Sequence, residues 1–322
     1  MAGKYLFIRI LEACNAGCFM CAFAHSKDTS RFTPGDLRQL LPSAQTIGVR
    51  FVRYTGGEPL LHEAIAELVR IPAAAGFQVS LITNGYFLPD RADELARCGL
   101  RQIIVSLDGA TGKTHDRYRR TEGLFARALE GLRRCRSIGL LLRVNSVVGP
   151  HNYGEMLELQ ALLADEGVTQ WELSALKMAR PVRYSDRAGV LAVGRILYEG
   201  SSPLKPMGVP WYGASEDAQL DYFVHGIPPR PSGPQCRVTQ DVIYLDARTR
   251  QLFVCSCLPH RRTVMSFGAR LEEEGQIESA ALRQQREWYF KNGPRVCTGC
   301  SSTAAAYGDA ATGHVASEDW SY

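Results

Sequence analysis

The sequence predicts an α/β protein: an open, partial (β/α)6 barrel followed by a small C-terminal α+β extension. Three observations carry this. Residues 5 to 176 alternate short apolar, β-branched runs with segments of helical spacing, the pattern of a parallel sheet with helices outside it. Several runs are apolar throughout, as in strands covered on both faces. The rhythm gives roughly six units, too few for a closed eight-stranded barrel, and it stops near residue 180.

Strands are expected at Tyr5–Leu11, Val49–Tyr54, Gln78–Thr83, Gln102–Leu107, Leu140–Val148 and Gln170–Leu176. Helices are expected at Gly35–Ile47, His62–Ala75, Pro89–Cys98, Gly123–Ile138 and Tyr153–Glu166. Residues 200 to 235 are rich in Pro, Gly and Ser and read as connecting loops, with a short helix near Asp217–Val224. Asp241–Cys255 alternates as two strands around a turn at Ala247–Arg250. A helix is expected over Ile277–Lys291, with Asn292-Gly293-Pro294 as its stop. The division expected is 1–180 for the barrel, 181–235 for a connecting region bordering the substrate pocket, and 236–322 for the extension.

The 322 residues suit about two domains. With 45% hydrophobic and 22% charged residues the chain lies in the ordinary globular range, excluding disordered, collagenous and fibrous classes. Lys+Arg 37 against Asp+Glu 33 gives a formal charge of +4, spread along the chain. That gives no reason to expect a nucleic-acid partner and leaves an anionic small substrate open. The apolar N-terminal run is interrupted by Arg9 and Glu12 and no cleavage site follows. The longest uncharged stretch, Ile71–Pro89, contains Pro72, Gly76, Asn84 and Gly85, so no membrane span is expected. The setting expected is a reducing cytoplasm.

Ten cysteines occur, at 14, 18, 21, 98, 135, 236, 255, 257, 297 and 300. They are too sparse for a disulfide scaffold, and their close groups read as metal ligands. Cys98 and Cys135 fall on apolar helix faces and are expected in the core. Cys14, Cys18 and Cys21 form a C-x3-C-x2-C spacing directly after the first strand. Three thiolates on one short loop leave two readings. A zinc site wants a fourth ligand, for which His25 is the nearby residue; a [4Fe–4S] cluster on three cysteines keeps one iron open for chemistry.

This triplet, in this position, resembles the cluster motif of the radical S-adenosylmethionine (radical SAM) superfamily, and the motif order extends the resemblance over about residues 4 to 180. The resemblance implies a [4Fe–4S] cluster on Cys14, Cys18 and Cys21, whose open iron chelates the methionine part of S-adenosylmethionine (SAM). It also implies one-electron cleavage of SAM to a 5′-deoxyadenosyl radical that abstracts a substrate hydrogen. The position before the third cysteine is usually aromatic in the family; here it is Met20, flanked by Phe19 and Phe23.

Gly56-Gly57-Glu58-Pro59 ends the second strand and resembles the family's motif for the SAM amino group; its plainer reading is a strand-to-helix turn with Pro opening the helix. Asn84 follows the third strand, and Ser106 and Asp108 follow the fourth, at the strand ends where open α/β sheets hold ligands. A turn at Asn84-Gly85 and an Asp108 helix cap are the alternatives. Arg143, Asn145 and Val147 lie on the fifth strand, which meets SAM in the family. Trp171, Glu172 and Leu173 lie on the sixth, near adenine in the family. Trp171 reads more readily as plain core, and Arg143 and Glu172 also read as a pair.

Cys236, Cys255, Cys297 and Cys300 resemble the ligands of the Twitch domain, the short form of the SPASM extension. This implies a second, fully ligated auxiliary [4Fe–4S] cluster, against the alternative of a four-cysteine zinc ribbon. Cys257 is a competing thiol beside Cys255, and Arg250 replaces a glycine usual before the second ligand. A fully ligated cluster suits electron transfer. The resemblance therefore implies oxidation of a small polar substrate, such as a sugar, aminocyclitol or nucleoside intermediate, with a flavodoxin or ferredoxin as reductant. Redox-neutral decarboxylation of a nucleoside uronic acid is the related alternative. Peptide modification is disfavoured because little chain precedes Cys14. Lys177, Arg180, Arg183 and Arg187 read as an anion site or as a solvated face. Tyr184, Trp211, Tyr212 and His225 border the expected pocket.

Overall fold

The computed structural model describes residues 4–21, 23–176, 184–207, 241–255, 269–271, 277 and 280–296. The barrel elements follow in order: β1 (Lys4–Arg9), α1 (Pro34–Thr46), β2 (Val49–Thr55), α2 (Ile65–Ala74), β3 (Gln78–Thr83), α3 (Leu88–Arg97), β4 (Leu100–Ser106), α4 (Gly112–Arg119), α5 (Leu124–Ser137), β5 (Leu141–Val148), α6 (Met156–Asp165) and β6 (Gln170–Ala175). After them come α7 (Arg187–Glu199), β7 (Pro206–Met207), β8 (Val242–Asp246), β9 (Gln251–Phe253), β10 (Ala269–Arg270) and α8 (Ala280–Val296). Among the described residues ten strands make one sheet in the order β10-β9-β8-β1-β2-β3-β4-β5-β6-β7. Neighbours from β8 to β7 are parallel, while β9 pairs antiparallel with both β8 and β10.

Side chains alternate between the two faces of each strand. One face carries Leu6, Ile8, Val52, Tyr54, Leu81, Ile103, Val105, Leu142, Val144 and Trp171, in one buried core with Leu37, Leu40, Leu68, Leu95, Leu132 and Leu159 from the helices. Tyr54 Oη marks this as the helix side by donating to the Leu68 carbonyl of α2 at 2.6 Å. The other face is polar. Arg53 on β2 donates to Ser80 Oγ on β3 at 2.9 Å and to Gln102 Oε1 on β4 at 3.2 Å. Gln102 in turn donates to Gln170 Oε1 on β6 at 2.8 Å. Bonds from β2 to β4 and from β4 to β6 each skip a strand, so the sheet curves inward around this polar face. That is the partial barrel expected from the alternation.

Two helices of the structure are not foreseen by the periodicity. α4 reads GKTHDRYR and has almost no apolar stripe; it is fixed by its ends, with Thr111 accepting from Thr114 N and Thr114 Oγ1 donating to Glu155. α7 follows the break near residue 180, capped by Asp186. The stop expected at Asn292-Gly293-Pro294 is corrected: α8 continues through Val296. Its docking on the hairpin end outweighs the local signal, with Tyr289 fully buried and Gln285 Oε1 accepting from Val254 N at 3.2 Å.

The hairpin expected at Asp241–Cys255 forms as β8 and β9 around residues 247–250. Its first strand is not set apart from the barrel, because it lies parallel to β1 in the same sheet. Arg250 takes the left-handed conformation, φ +52°, that a glycine adopts at less cost. The short helix expected near Asp217–Val224 lies outside the described residues.

Candidate functional site

The parallel strands deliver their C-terminal ends to one rim. β1 leads through Leu11 and Glu12 into the cysteine loop. Cys18 is buried, Cys14 half-buried and Cys21 exposed. The loop is a tight turn: Cys21 N donates to the Cys18 carbonyl at 3.1 Å, and Ala16 N points at Cys14 Sγ at 3.4 Å.

Gly56 and Gly57 have a role that the sequence does not disclose. A Cβ on Gly57 would stand 2.2 Å from the Ala13 carbonyl oxygen, and one on Gly56 2.5 Å from that of Leu11. Their backbones dock on the strand leading into the loop, with Gly57 N donating to Leu11 O at 2.9 Å and Glu58 N to Ala13 O at 2.8 Å. The glycines thus admit the chain that carries Cys14.

Glu58 is fully buried, and its carboxylate accepts from Leu60 N at 2.9 Å, Thr83 Oγ1 at 2.7 Å and Asn84 N at 2.7 Å. Burial pushes its pKa up, against the pull of those bonds. Its carboxylate ties the ends of β2 and β3 together, and the following Pro59 opens a single 3₁₀ turn. Asn84 then faces the loop: its Nδ2 donates to Asn15 Oδ1 at 2.8 Å and lies 3.9 Å from Cys14 Sγ.

Asp108, buried after β4, is also engaged internally. It accepts from Val147 N at 2.8 Å and pairs with Arg119 Nε at 2.8 Å. Asn152, missed by the sequence reading, bridges the same strand ends by donating to Asp108 O at 2.6 Å and Val147 O at 2.8 Å. Ser106 ends β4 in register with Asn145 on β5. Arg143 donates to Asn145 Oδ1 at 3.0 Å and pairs with Glu172, so the two charged residues meet as one of their readings holds. Leu173 does not join them. It sits with Trp171 in the buried core on the opposite face of β6, and Trp171 Nε1 donates to Ser146 Oγ at 2.9 Å. Cys98 and Cys135 pack with the core, as expected.

A charged chain also escaped the sequence reading. Arg9 on β1 pairs with Asp246 at the end of β8 and with Glu12 at 3.2 Å. Glu12 takes Arg248 from the hairpin turn at 3.3 Å, and Arg248 lies 3.6 Å from Asp28. Asp246 and Arg248 lie more than 200 residues from Arg9, Glu12 and Asp28 in sequence, which no local pattern signals.

The donor set of the loop fits an iron–sulfur cluster. Burial pushes the Cys14 thiol up to about 11 and raises that of Cys18, so thiolates here require compensating positive charge. Among the described residues no three His, Cys, Asp or Glu side chains gather as for a single metal ion, and His25 is exposed. A multi-iron cluster binds each thiolate at a different iron and holds its ligands farther apart than one ion does. Of the second expected cysteine set only Cys255 is described; Cys236, Cys257, Cys297 and Cys300 lie outside the described residues, as do Lys177, Arg180, Arg183, Trp211, Tyr212 and His225. Arg187 opens α7 on an exposed turn, and Tyr184 is buried against Tyr153.

The sequence pattern of the radical SAM superfamily matches residues 8–163. An AdoMet-dependent heme synthase from Methanosarcina barkeri is 27% identical over 96% of this chain and 94% of its own. A probable GTP 3′,8-cyclase from Saccharolobus solfataricus is 31% identical over 53% of this chain and 56% of its own, so the match spans about half of that relative. In fold, Streptococcus suis SuiB bound to S-adenosylmethionine superposes with a TM-score of 0.66 over 91% of this chain and 68% of that one, at 16% identity. The superfamily implies SAM and a [4Fe–4S] cluster, and the cysteine loop and the rim around it are the residues that fit them. The chain carries a radical SAM domain over residues 8–163.

Proposed function

We propose that this radical SAM enzyme abstracts hydrogen from a small polar substrate, a sugar, aminocyclitol or nucleoside intermediate, and oxidises it. When bound, the cluster and SAM supply the 5′-deoxyadenosyl radical. Cys14, Cys18 and Cys21 hold the cluster, while Asn84, Ser106 and the carbonyls of the Gly56–Glu58 turn border SAM. Glu58 and Asp108 act by fixing the strand ends. Cys236, Cys255, Cys297 and Cys300 would hold a second [4Fe–4S] cluster, which would supply an acceptor for the electron lost in the oxidation, with a flavodoxin or ferredoxin as the external reductant.

The observation that carries this reading is the place of Cys255. β9 runs antiparallel to β8, which is parallel to β1. β9 ends at Phe253, opposite Tyr244 and so level with Phe7, about 7 Å of strand back from Arg9 at the rim where the cysteine loop begins, and Cys255 follows two residues later. This supports a second cluster set back from the rim, with a role in electron transfer rather than in holding SAM. The match to the heme synthase over nearly the whole chain supports one activity that includes the C-terminal third.

A second reading is redox-neutral decarboxylation of a nucleoside uronic acid, the alternative that the same radical chemistry allows when the substrate carries a carboxylate. A panel of sugars, aminocyclitols, uronic acid nucleosides, peptides and tetrapyrroles, scored by SAM-dependent mass change, separates them. Loss of two hydrogens supports oxidation. Loss of carbon dioxide supports the second reading, and a modified peptide or tetrapyrrole overturns both.

A further inference from the structure

The cysteine loop is closed at its neck by side chains from both of its ends. Glu12 stands two residues before Cys14, and Phe23, Ser26 and Asp28 follow Cys21. Ser26 Oγ donates to Glu12 Oε2 across the neck, and Asp28 N donates to Ser26 Oγ at 3.2 Å. The Arg9 guanidinium lies over the Phe23 ring, 4.7 Å from its centroid, and 3.2 Å from Glu12 Oε1. Arg248 enters from the β8–β9 turn and spans both ends, 3.3 Å from Glu12 Oε1 and 3.6 Å from Asp28 Oδ2. The turn itself is fastened without that side chain. Arg248 N donates to Asp246 Oδ1 at 3.0 Å, Asp246 pairs with Arg9, and Arg250 donates to Asp36. Asp28 likewise keeps its own turn by accepting from Ser30 N at 2.8 Å.

We propose that Arg248 is a positioning residue for the cysteine loop: by bridging Glu12 and Asp28 it closes the neck, so that the C-terminal hairpin sets how readily the iron–sulfur loop opens. The inference rests on the radical SAM assignment of Cys14, Cys18 and Cys21. All three thiolates sit between the two ends that Arg248 joins. Pinning the ends of a loop removes the open conformations in which its ligands withdraw. The Glu12 side chain is buried while that of Arg248 is half-exposed, so the bridge is anchored on one side and screened by salt on the other.

The test follows cluster retention. Anaerobically reconstituted protein is exposed to an iron chelator, and electron paramagnetic resonance tracks decay of the reduced-cluster signal that Cys18→Ser loses. Amide hydrogen exchange of the loop and of the hairpin is read on the same proteins before reconstitution. Arg248→Lys keeps the charge, Arg248→Gln removes it, and Asp28→Asn removes one partner while its side-chain oxygen still accepts from Ser30 N. Decay and loop exchange are expected to quicken in Arg248→Gln by up to about fivefold, the size of a partly exposed ion pair. Arg248→Lys is expected near wild type, and Asp28→Asn between the two. The double variant Asp28→Asn with Arg248→Gln is expected to be no faster than Arg248→Gln, because both changes remove one bridge. Added salt is expected to bring wild type toward the Arg248→Gln rate and to leave that variant unchanged. Wild-type decay and loop exchange in Arg248→Gln overturn the proposal. So does an additive acceleration in the double variant, which gives the two side chains separate roles. Exchange quickened equally across β8 and β9 also overturns it, by making the effect one of hairpin docking. A wild-type protein with no Cys18-dependent signal overturns the radical SAM assignment itself, and this inference with it.

Discussion

Gly57 accepts no side chain, because a Cβ there would meet backbone oxygens of both Ala13, at 2.2 Å, and Glu12, at 2.3 Å. Neither neighbour can rotate away, so the strand entering the cysteine loop must move. Gly57→Ala is expected to retain its helices by circular dichroism and to take up less than half the wild-type iron on anaerobic reconstitution; full iron uptake refutes the docking role. Local spacing made the cysteines legible, since Cys14, Cys18 and Cys21 all fall within one loop. The use of Glu58 was not legible: its partners Thr83 and Asn84 lie on another strand, and only folding brings those donors to the carboxylate. Asp108 and Arg143 were likewise readable as polar residues at the right strands, while their commitment to Arg119 and Glu172 was not.

At the level of elements, the β8–β9 hairpin is joined to the barrel by charge. Arg9 and Asp246 are both buried, and their side chains pair across neighbouring parallel strands. Asp246→Asn leaves Arg9 with Glu12 alone and is expected to cost about 3 kcal/mol in denaturant unfolding, the cost of breaking a buried pair; a change within error refutes a pair that holds the hairpin. The hairpin turn itself latches to α1, with Arg250 Nη1 donating to Asp36 Oδ1 at 2.7 Å. Burial raises the Asp36 carboxyl, but the bond from Arg250 and those from Thr33 outweigh it, and the net pKa is lowered. A lowered folded pKa adds stability above the ordinary aspartate range and loses it as pH falls through the folded value. The stability gap between wild type and Arg250→Gln is therefore expected at neutral pH and closes below about pH 4. A gap unchanged at low pH contradicts the latch. Alternating apolar runs made the six barrel strands readable. α4 was not, because a helix held by caps and a single buried aromatic carries no periodic signal.

For the whole molecule, the parallel sheet carries the cysteine loop, the glycine turn and the polar strand ends to one rim, while β9 returns Cys255 toward the other. No described helix is long and apolar enough to cross a membrane. The alternation of apolar runs and helical segments predicted this class of fold, but not that the chain's C-terminal third would contribute a strand beside β1, a pairing some 237 residues apart in sequence. The central claim is that Cys14, Cys18 and Cys21 assemble a centre that cleaves SAM. It is tested most directly by measuring 5′-deoxyadenosine formed from SAM under reducing, anaerobic conditions in wild type and Cys14→Ala. The account predicts formation by the wild type and none above background in the variant. Equal formation by both, or zinc without iron in the wild type, would contradict it.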